Sequence, residues 1–294
     1  MSKSIYPFSI FDPWNGELCT CPRKYSLNPY TGCSFSCLYC YAKSYIGKKP
    51  SIPKRNFILL LERTVPKLDY RLPVNLGTSS DPYPKEEEAY ELTRASLKIL
   101  VENKFRVLIT TKGGKLMLRD LDIMLRGKIA VTPTVTTMRS EIARKIEPGA
   151  PDPSERVEAM KALSSKGVPV GARIDPIIPG INDDEEELRE LVDILASAGA
   201  RLIITSTYKA KQLDFRDLAE AFPEMENKWR KIYFEEGERI GPYRYLRREI
   251  REKMLMPVVQ EARRLGLEYA TCREGLTARE FFNSRSCDGT HLAE

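Results

Sequence analysis

Short runs rich in β-branched residues alternate along the chain with longer segments whose apolar positions recur at helical spacing. Six such runs read as strands, at residues 25–28, 73–77, 105–110, 128–135, 168–174 and 201–206. Between them the pattern predicts a helix over 86–103 and another over 183–197. The second carries Asp183 and Asp184 before a Glu-rich first turn, which favours a helix N-terminus through capping and the macrodipole. Pro153 opens a further helix, as proline suits a first turn, while residues 56–72 fit helix and strand equally. Alternation of this kind marks βα units around a parallel sheet. The predicted fold class is α/β, a partial (β/α)6 TIM-type barrel shorter than the usual eight units, with a mainly helical C-terminal extension. The boundaries are an N-terminal segment at 1–24, the partial barrel at 25–206 and the extension at 207–294, packed on the barrel. Within the extension the pattern gives helices at 215–237 and 247–265, a short strand at 268–270 and a tail from Thr271 to Glu294.

Composition adds bounds. A chain of 294 residues with 42% hydrophobic content supports a real core. No apolar run approaches the length needed to span a bilayer, and the first six residues lack the apolar segment of a secretory signal. The expected location is cytoplasmic, where cysteines stay reduced and bind metals or do chemistry more often than they pair. The 30% charged content, with only two glutamines, resembles a thermophile's composition. A formal charge of +6, from 47 basic against 41 acidic residues, permits a polyanionic partner without requiring one.

Seven cysteines in such a chain call for a chemical reason. Three lie in Asn28-Pro29-Tyr30-Thr31-Gly32-Cys33-Ser34-Phe35-Ser36-Cys37-Leu38-Tyr39-Cys40-Tyr41-Ala42. Thiolates so spaced can converge on one inorganic centre, and as soft ligands they suit an iron–sulfur cluster or zinc. A cubane held by Cys33, Cys37 and Cys40 alone leaves one iron without a protein ligand, open to a small molecule. A zinc site usually shows a second Cys or His pair; the chain's one histidine, His291, lies in the far tail. Three merely buried cysteines have no reason to adopt this spacing. The cluster is the better reading.

The CxxxCxxC loop, with an aromatic residue just before its last cysteine, resembles the radical S-adenosylmethionine superfamily. The fuller resemblance is to its spore photoproduct lyase-like branch, whose members are often called DNA repair photolyases. It rests on Asn28 to Cys33, Gly77-Thr78-Ser79-Ser80-Asp81-Pro82-Tyr83-Pro84, Thr110-Thr111-Lys112 and Thr134-Val135-Thr136-Thr137. It continues through Glu147-Pro148-Gly149-Ala150-Pro151 and Pro176-Ile177-Ile178-Pro179-Gly180-Ile181-Asn182-Asp183. The resemblance implies a [4Fe–4S] cluster on Cys33, Cys37 and Cys40 whose open iron chelates S-adenosyl-L-methionine. Reductive cleavage would then give a 5′-deoxyadenosyl radical that abstracts hydrogen from substrate, fed by a low-potential donor such as a ferredoxin or flavodoxin. By the same resemblance Tyr39 lies against the adenine, and Ser80, Asp81, Lys112 and Thr134 meet the methionyl end. Gly77 lets the backbone approach the cofactor there, Glu147 contacts the ribose or caps a loop, and Tyr41 lines the site. Arg173, a charge at the end of an apolar strand, is either a site residue or half of a surface ion pair with Asp175.

The chain departs from that branch at Thr78, where spore photoproduct lyase carries a cysteine that returns a hydrogen atom to the product radical. A threonine O–H bond is too strong for that role, which argues against thymine-dimer repair and for another substrate, with a tyrosine or a remote cysteine closing the radical. The expected substrate is a nucleic acid or another large molecule. Basic and aromatic residues at 229–233 and 243–248 could stack on bases and meet phosphates, or form an ordinary charged face. Two rival functions stand beside this: a radical enzyme acting on a protein side chain or small metabolite, and a non-enzymatic, zinc-bound nucleic-acid-binding module. The remaining cysteines, Cys19, Cys21, Cys272 and Cys287, either share a second iron–sulfur cluster or zinc ion that closes the tail over the barrel mouth, or are scattered buried thiols.

Overall fold

Runs such as Val107-Leu108-Ile109 and Leu202-Ile203-Ile204 have no polar alternation, as expected of strands covered on both faces. The computed structural model describes residues 5–11 and 18–294. Among the described residues are twelve strands: β1 Phe8–Phe11, β2 Lys24–Leu27, β3 Tyr30–Thr31, β4 Ile52–Pro53, β5 Val74–Leu76, β6 Arg106–Thr111, β7 Lys128–Pro133, β8 Val170–Ile177, β9 Ala200–Thr207, β10 Glu238–Ile240, β11 Tyr243–Tyr245 and β12 Glu268–Thr271. Eight of them form one sheet in the order β1-β2-β5-β6-β7-β8-β9-β12. Only β1 is antiparallel to its neighbour; β2 to β12 run parallel, curving as a partial barrel.

Three expectations need revision. The strand near 268 pairs in parallel with β9, Glu268 opposite Leu202, and so extends the barrel sheet from within the expected extension. The single helix expected over 86–103 is two, Glu87–Tyr90 and Leu92–Glu102, broken at Glu91 with φ +47°. Glu87 explains the break: its carboxylate accepts from the Thr93 and Arg94 backbone N–H groups and pairs with Arg119. The helix expected over 215–237 is also broken, into a helix at Gln212–Ala221, short turns at Pro223–Met225 and Glu226–Trp229, and a wider turn at Arg230–Glu235. Two helix starts follow their sequence signals. Asp184 accepts from the N–H groups of Glu186 and Glu187 at the start of Glu185–Ser197, and Asp152 accepts from Ser154 before Pro153–Ser165. The ambiguous stretch resolves as a helix at Phe57–Thr64. No described helix is long and apolar enough to cross a membrane.

The main core lies between the sheet and its helices, built on Val107, Ile109, Ile129, Val131, Ala172 and Ile203 among others. Alternate residues of the same strands face inward, where Leu108 and Ala130 meet Leu292 and Ala293 of the C-terminal tail. The tail therefore fills the barrel interior, rather than closing over its mouth. Gly171 leaves room for it: an added Cβ would stand 3.1 Å from Thr132 Cγ2 and 3.3 Å from Leu292 Cδ1. Lys24, fully buried on β2, is ion-paired with Asp288 of the tail.

Candidate active site

The loop that follows β3 carries Cys33, Cys37 and Cys40, and all three line one cavity of about 240 Å³ at the C-terminal ends of the parallel strands. That is the end where parallel βα folds build their sites. Backbone bonds shape the loop: Cys33 N–H donates to Lys49 O, Leu38 N–H to Ile146 O and Cys40 N–H to Cys37 O. Gly32 permits it with φ +78°, since any Cβ there would strike Pro50 O. Burial, then the nearby Asp81 charge, pushes the Cys33 thiol up to about 11. Burial also raises Cys37, with Lys112 opposing. Thiols held protonated in this way release protons when a metal takes them.

Lys112 follows β6 and carries the clearest electrostatic signal. Its ammonium lies 5.3 Å from the Tyr39 ring centroid and makes no ion pair among the described residues. Burial disfavours its charge, but Cys37, in the thiolate form it takes on ligation, and Glu147 outweigh that and its pKa is raised. A permanent cation faces the three thiols, available to an anionic ligand. Asp81 is committed elsewhere: it accepts from Thr111 Oγ1 at 2.6 Å, from the Lys112 N–H at 2.7 Å and from the Tyr83 N–H at 2.9 Å. Ser80 is buried, its hydroxyl donating to Tyr30 O at 2.8 Å. Both line the cavity, and both are tied into the loop they stabilise. Thr134, also on the wall, forms a parallel bridge with Arg173.

Two residues have partners that the sequence did not indicate. Gly77 lines the cavity, and its φ of +92° also serves the sheet: a Cβ there would lie 2.0 Å from Thr110 O of the adjacent strand. Glu147, expected at a ribose or a loop cap, lies fully buried outside the cavity lining. It accepts from the Tyr39 hydroxyl and from Thr136 Oγ1 at 3.0 Å, and pairs with Arg156 Nη1 at 2.5 Å. Burial alone would raise its pKa; Arg156 and Lys112 more than reverse that, leaving it lowered. Glu147 therefore positions the Tyr39 ring. Arg156 is the partner that sequence reading missed. Its signal was a charge on the buried stripe shared with Ala159, Met160 and Leu163 of its helix.

Across the cavity, Arg173 pairs with Asp175 at 2.5 Å, and Asp175 accepts from Ser206 Oγ at 2.5 Å. This is a wall of the cavity rather than a surface pair. Burial would raise Asp175, but Arg173 and then Lys209 hold its carboxyl down at about 2. Tyr41 donates its hydroxyl to Thr78 O, and Thr78 shares hydrogen bonds with Ser26 and Asn28. Lys209, Tyr243 and Arg273 complete the wall from the C-terminal part of the chain; Tyr243 belongs to the basic and aromatic run at 243–248, while Lys209 and Arg273 were not singled out by sequence.

The four outlying cysteines also meet. Cys287 Sγ lies 3.3 Å from Cys21 Sγ, and Cys21 N–H donates to Cys19 Sγ at 3.5 Å. Cys21 and Cys272 pack with Cys287 against Leu202, Ile204 and Ala270. Cys21 and Cys272 reach the floor of the same cavity.

Similarity to known proteins agrees with this geometry. An uncharacterized protein of Mycobacterium tuberculosis is 28% identical over 243 residues, covering 76% of this chain and 69% of the relative. An uncharacterized protein of Methanocaldococcus jannaschii is 31% identical over 167 residues, covering 55% and 63%. Among solved structures, spore photoproduct lyase with bound AdoMet and dinucleoside spore photoproduct matches with a TM-score of 0.67 at 18% identity, over 96% of this chain and 81% of that one. Streptococcus suis SuiB bound to S-adenosylmethionine matches with a TM-score of 0.50 at 15% identity, over 70% and 47%. The family model described as "Radical SAM superfamily" matches residues 27–192, from the end of β2 into the helix after β8. The chain belongs to the Radical SAM superfamily.

Proposed function

We propose that this protein holds a [4Fe–4S] cluster on Cys33, Cys37 and Cys40 and cleaves S-adenosyl-L-methionine reductively at its open iron, for hydrogen abstraction from a nucleic acid or other large substrate. The observation that carries the reading is the convergence of three thiols and the ammonium of Lys112 on one cavity. The donor set fits the group: three soft ligands from one loop leave a fourth position free. When bound, the cluster and S-adenosyl-L-methionine supply a one-electron cleavage that yields methionine and a 5′-deoxyadenosyl radical.

The chain's own residues bind, orient and exclude water. Lys112 neutralises the cofactor carboxylate. Tyr39, fixed from behind by Glu147, offers a flat ring for the adenine, and Ser80, Asp81, Gly77 and Thr134 shape the wall around the methionyl end. Tyr41 and Arg173 face the substrate side. Thr78 occupies the loop where a hydrogen-donating thiol would be needed for dimer repair, so a different lesion or molecule is the better candidate. A polyanionic substrate is supported by the basic mouth: Lys211 stands 4.5 Å and Arg273 4.4 Å from the Tyr243 ring centroid. A low-potential ferredoxin or flavodoxin would supply the electron.

Anaerobic purification and reconstitution test the chemistry. The expected protein is brown, with about four iron and four sulfide per cluster, and releases 5′-deoxyadenosine under dithionite. A protein that takes up no iron at this loop would overturn the reading. Mass spectrometry of RNA, DNA and protein from a deletion strain against its parent would then identify the substrate.

A further inference from the structure

Cys19, Cys21, Cys272 and Cys287 come from three separate segments, and the Cys21 and Cys287 positions lie 266 residues apart. Their convergence is not forced by the parallel sheet. It requires the chain before β2, the end of β12 and the tail to meet at one point. Cys272 leaves β12 with its N–H donating to Thr205 O, and Cys287 is buried against Leu202, Ile204 and Ala270. Cys19 closes back on Cys21 through that residue's backbone N–H. All four are free thiols.

We propose that these four cysteines form a second metal site, a tetrathiolate that holds a single zinc ion and pins the C-terminal tail inside the barrel. Distance favours one ion over a larger cluster. Tetrahedral zinc with metal–sulfur bonds of about 2.3 Å places its sulfurs about 3.8 Å apart. The 3.3 Å between Cys21 and Cys287 is near that edge, and a cluster would spread ligands over several metal atoms. Polar contacts are in place as well: Arg173, paired with Asp175, also hydrogen-bonds Cys272, and Lys24, paired with Asp288, lies beside Cys21. Among the described residues no group of three or more His, Cys, Asp or Glu side chains is already arranged to hold a metal. That applies to Cys33, Cys37 and Cys40 as much as to these four. Ligation at either set draws the sulfurs inward by side-chain rotation.

The site would be structural. Its ligands are all protein, with no position left for a substrate. It joins the entry to β2, second from one edge of the open sheet, to β12 at the opposite edge. Such a clasp ties the folding of the tail to metal.

The test uses the full chain with Cys33, Cys37 and Cys40 all changed to Ala, so that the outcome is independent of the radical chemistry. Elemental analysis should find about one zinc per chain, lost when Cys19, Cys21, Cys272 and Cys287 are also changed to Ser. Because that variant has seven substitutions and can fail to fold, cobalt exchange into the triple variant supplies a second reading. Tetrahedral d–d bands with intense thiolate-to-cobalt charge transfer should appear, and a single Cys272→Ser change should alter them while the circular dichroism stays unchanged. Iron and sulfide in place of zinc would overturn the single-ion site. So would a metal-free chain in which Cys21 and Cys287 are joined as a disulfide.

Discussion

The two groups of cysteines differ in how they are built. Cys33, Cys37 and Cys40 sit on one short loop between β3 and β4, so their proximity is set by local backbone geometry. Cys19, Cys21, Cys272 and Cys287 are neighbours only because the tail enters the barrel and the sheet brings β12 beside β9. The first group faces the permanent cation of Lys112 and an open cavity. The second lies against apolar side chains at the cavity floor. A local motif can leave a coordination position free for chemistry, whereas a site made from three segments is suited to holding the chain together.

The largest expected effect separates the two groups outright. Changing Cys33, Cys37 and Cys40 together to Ala should abolish 5′-deoxyadenosine formation while leaving the tail docked. Persistent product release under dithionite would remove the loop from the chemistry. The converse change is Asp288→Ala, which leaves Lys24 buried without its partner. Breaking a buried pair from one side costs about 3–5 kcal/mol, read as a lower urea midpoint and faster proteolysis of the tail. Iron at the first group should survive. An unchanged midpoint would show that this pair does not hold the tail.

Lys112→Ala acts on the first group alone. Loss of one charge-assisted hydrogen bond costs about 1.5–3 kcal/mol, or roughly ten- to a hundredfold in affinity for S-adenosylmethionine. An unaltered Kd, measured anaerobically with the cluster intact, would take Lys112 out of the site. The smallest effect belongs to the second group. In Gly171→Ala the new methyl presses on Leu292 of the tail. The cost should be about 1 kcal/mol, a drop of about 2 °C in Tm by calorimetry. A neutral result would mean that the tail has room to yield.

Glu147 shows where motif reading stopped. Its place in the Glu147-Pro148-Gly149 turn marked it as functional, yet nothing local says that its carboxylate turns inward to Tyr39 and Arg156. The break at Glu91 has the same cause. Helical periodicity runs unbroken through residues 86–103, and the turn there follows from Glu87 finding Arg119 and the Tyr30 hydroxyl, both remote in sequence. The helix starts at Pro153 and Asp184 were legible because their caps lie within three residues of the groups they satisfy.

The sequence by itself determined the alternation of strand and helix, the parallel sheet and the three-thiol loop, because each depends on contacts between near neighbours or on a period in the chain. Only the tertiary structure decided that β12 joins the barrel, that the tail fills the interior and that four distant thiols meet. It also decided that Arg173 and Asp175 face a cavity and that Glu147 stands behind Tyr39. Those outcomes depend on which buried charges find partners and which apolar faces find cover. Most of these pairings join residues far apart along the chain, and no local pattern records them.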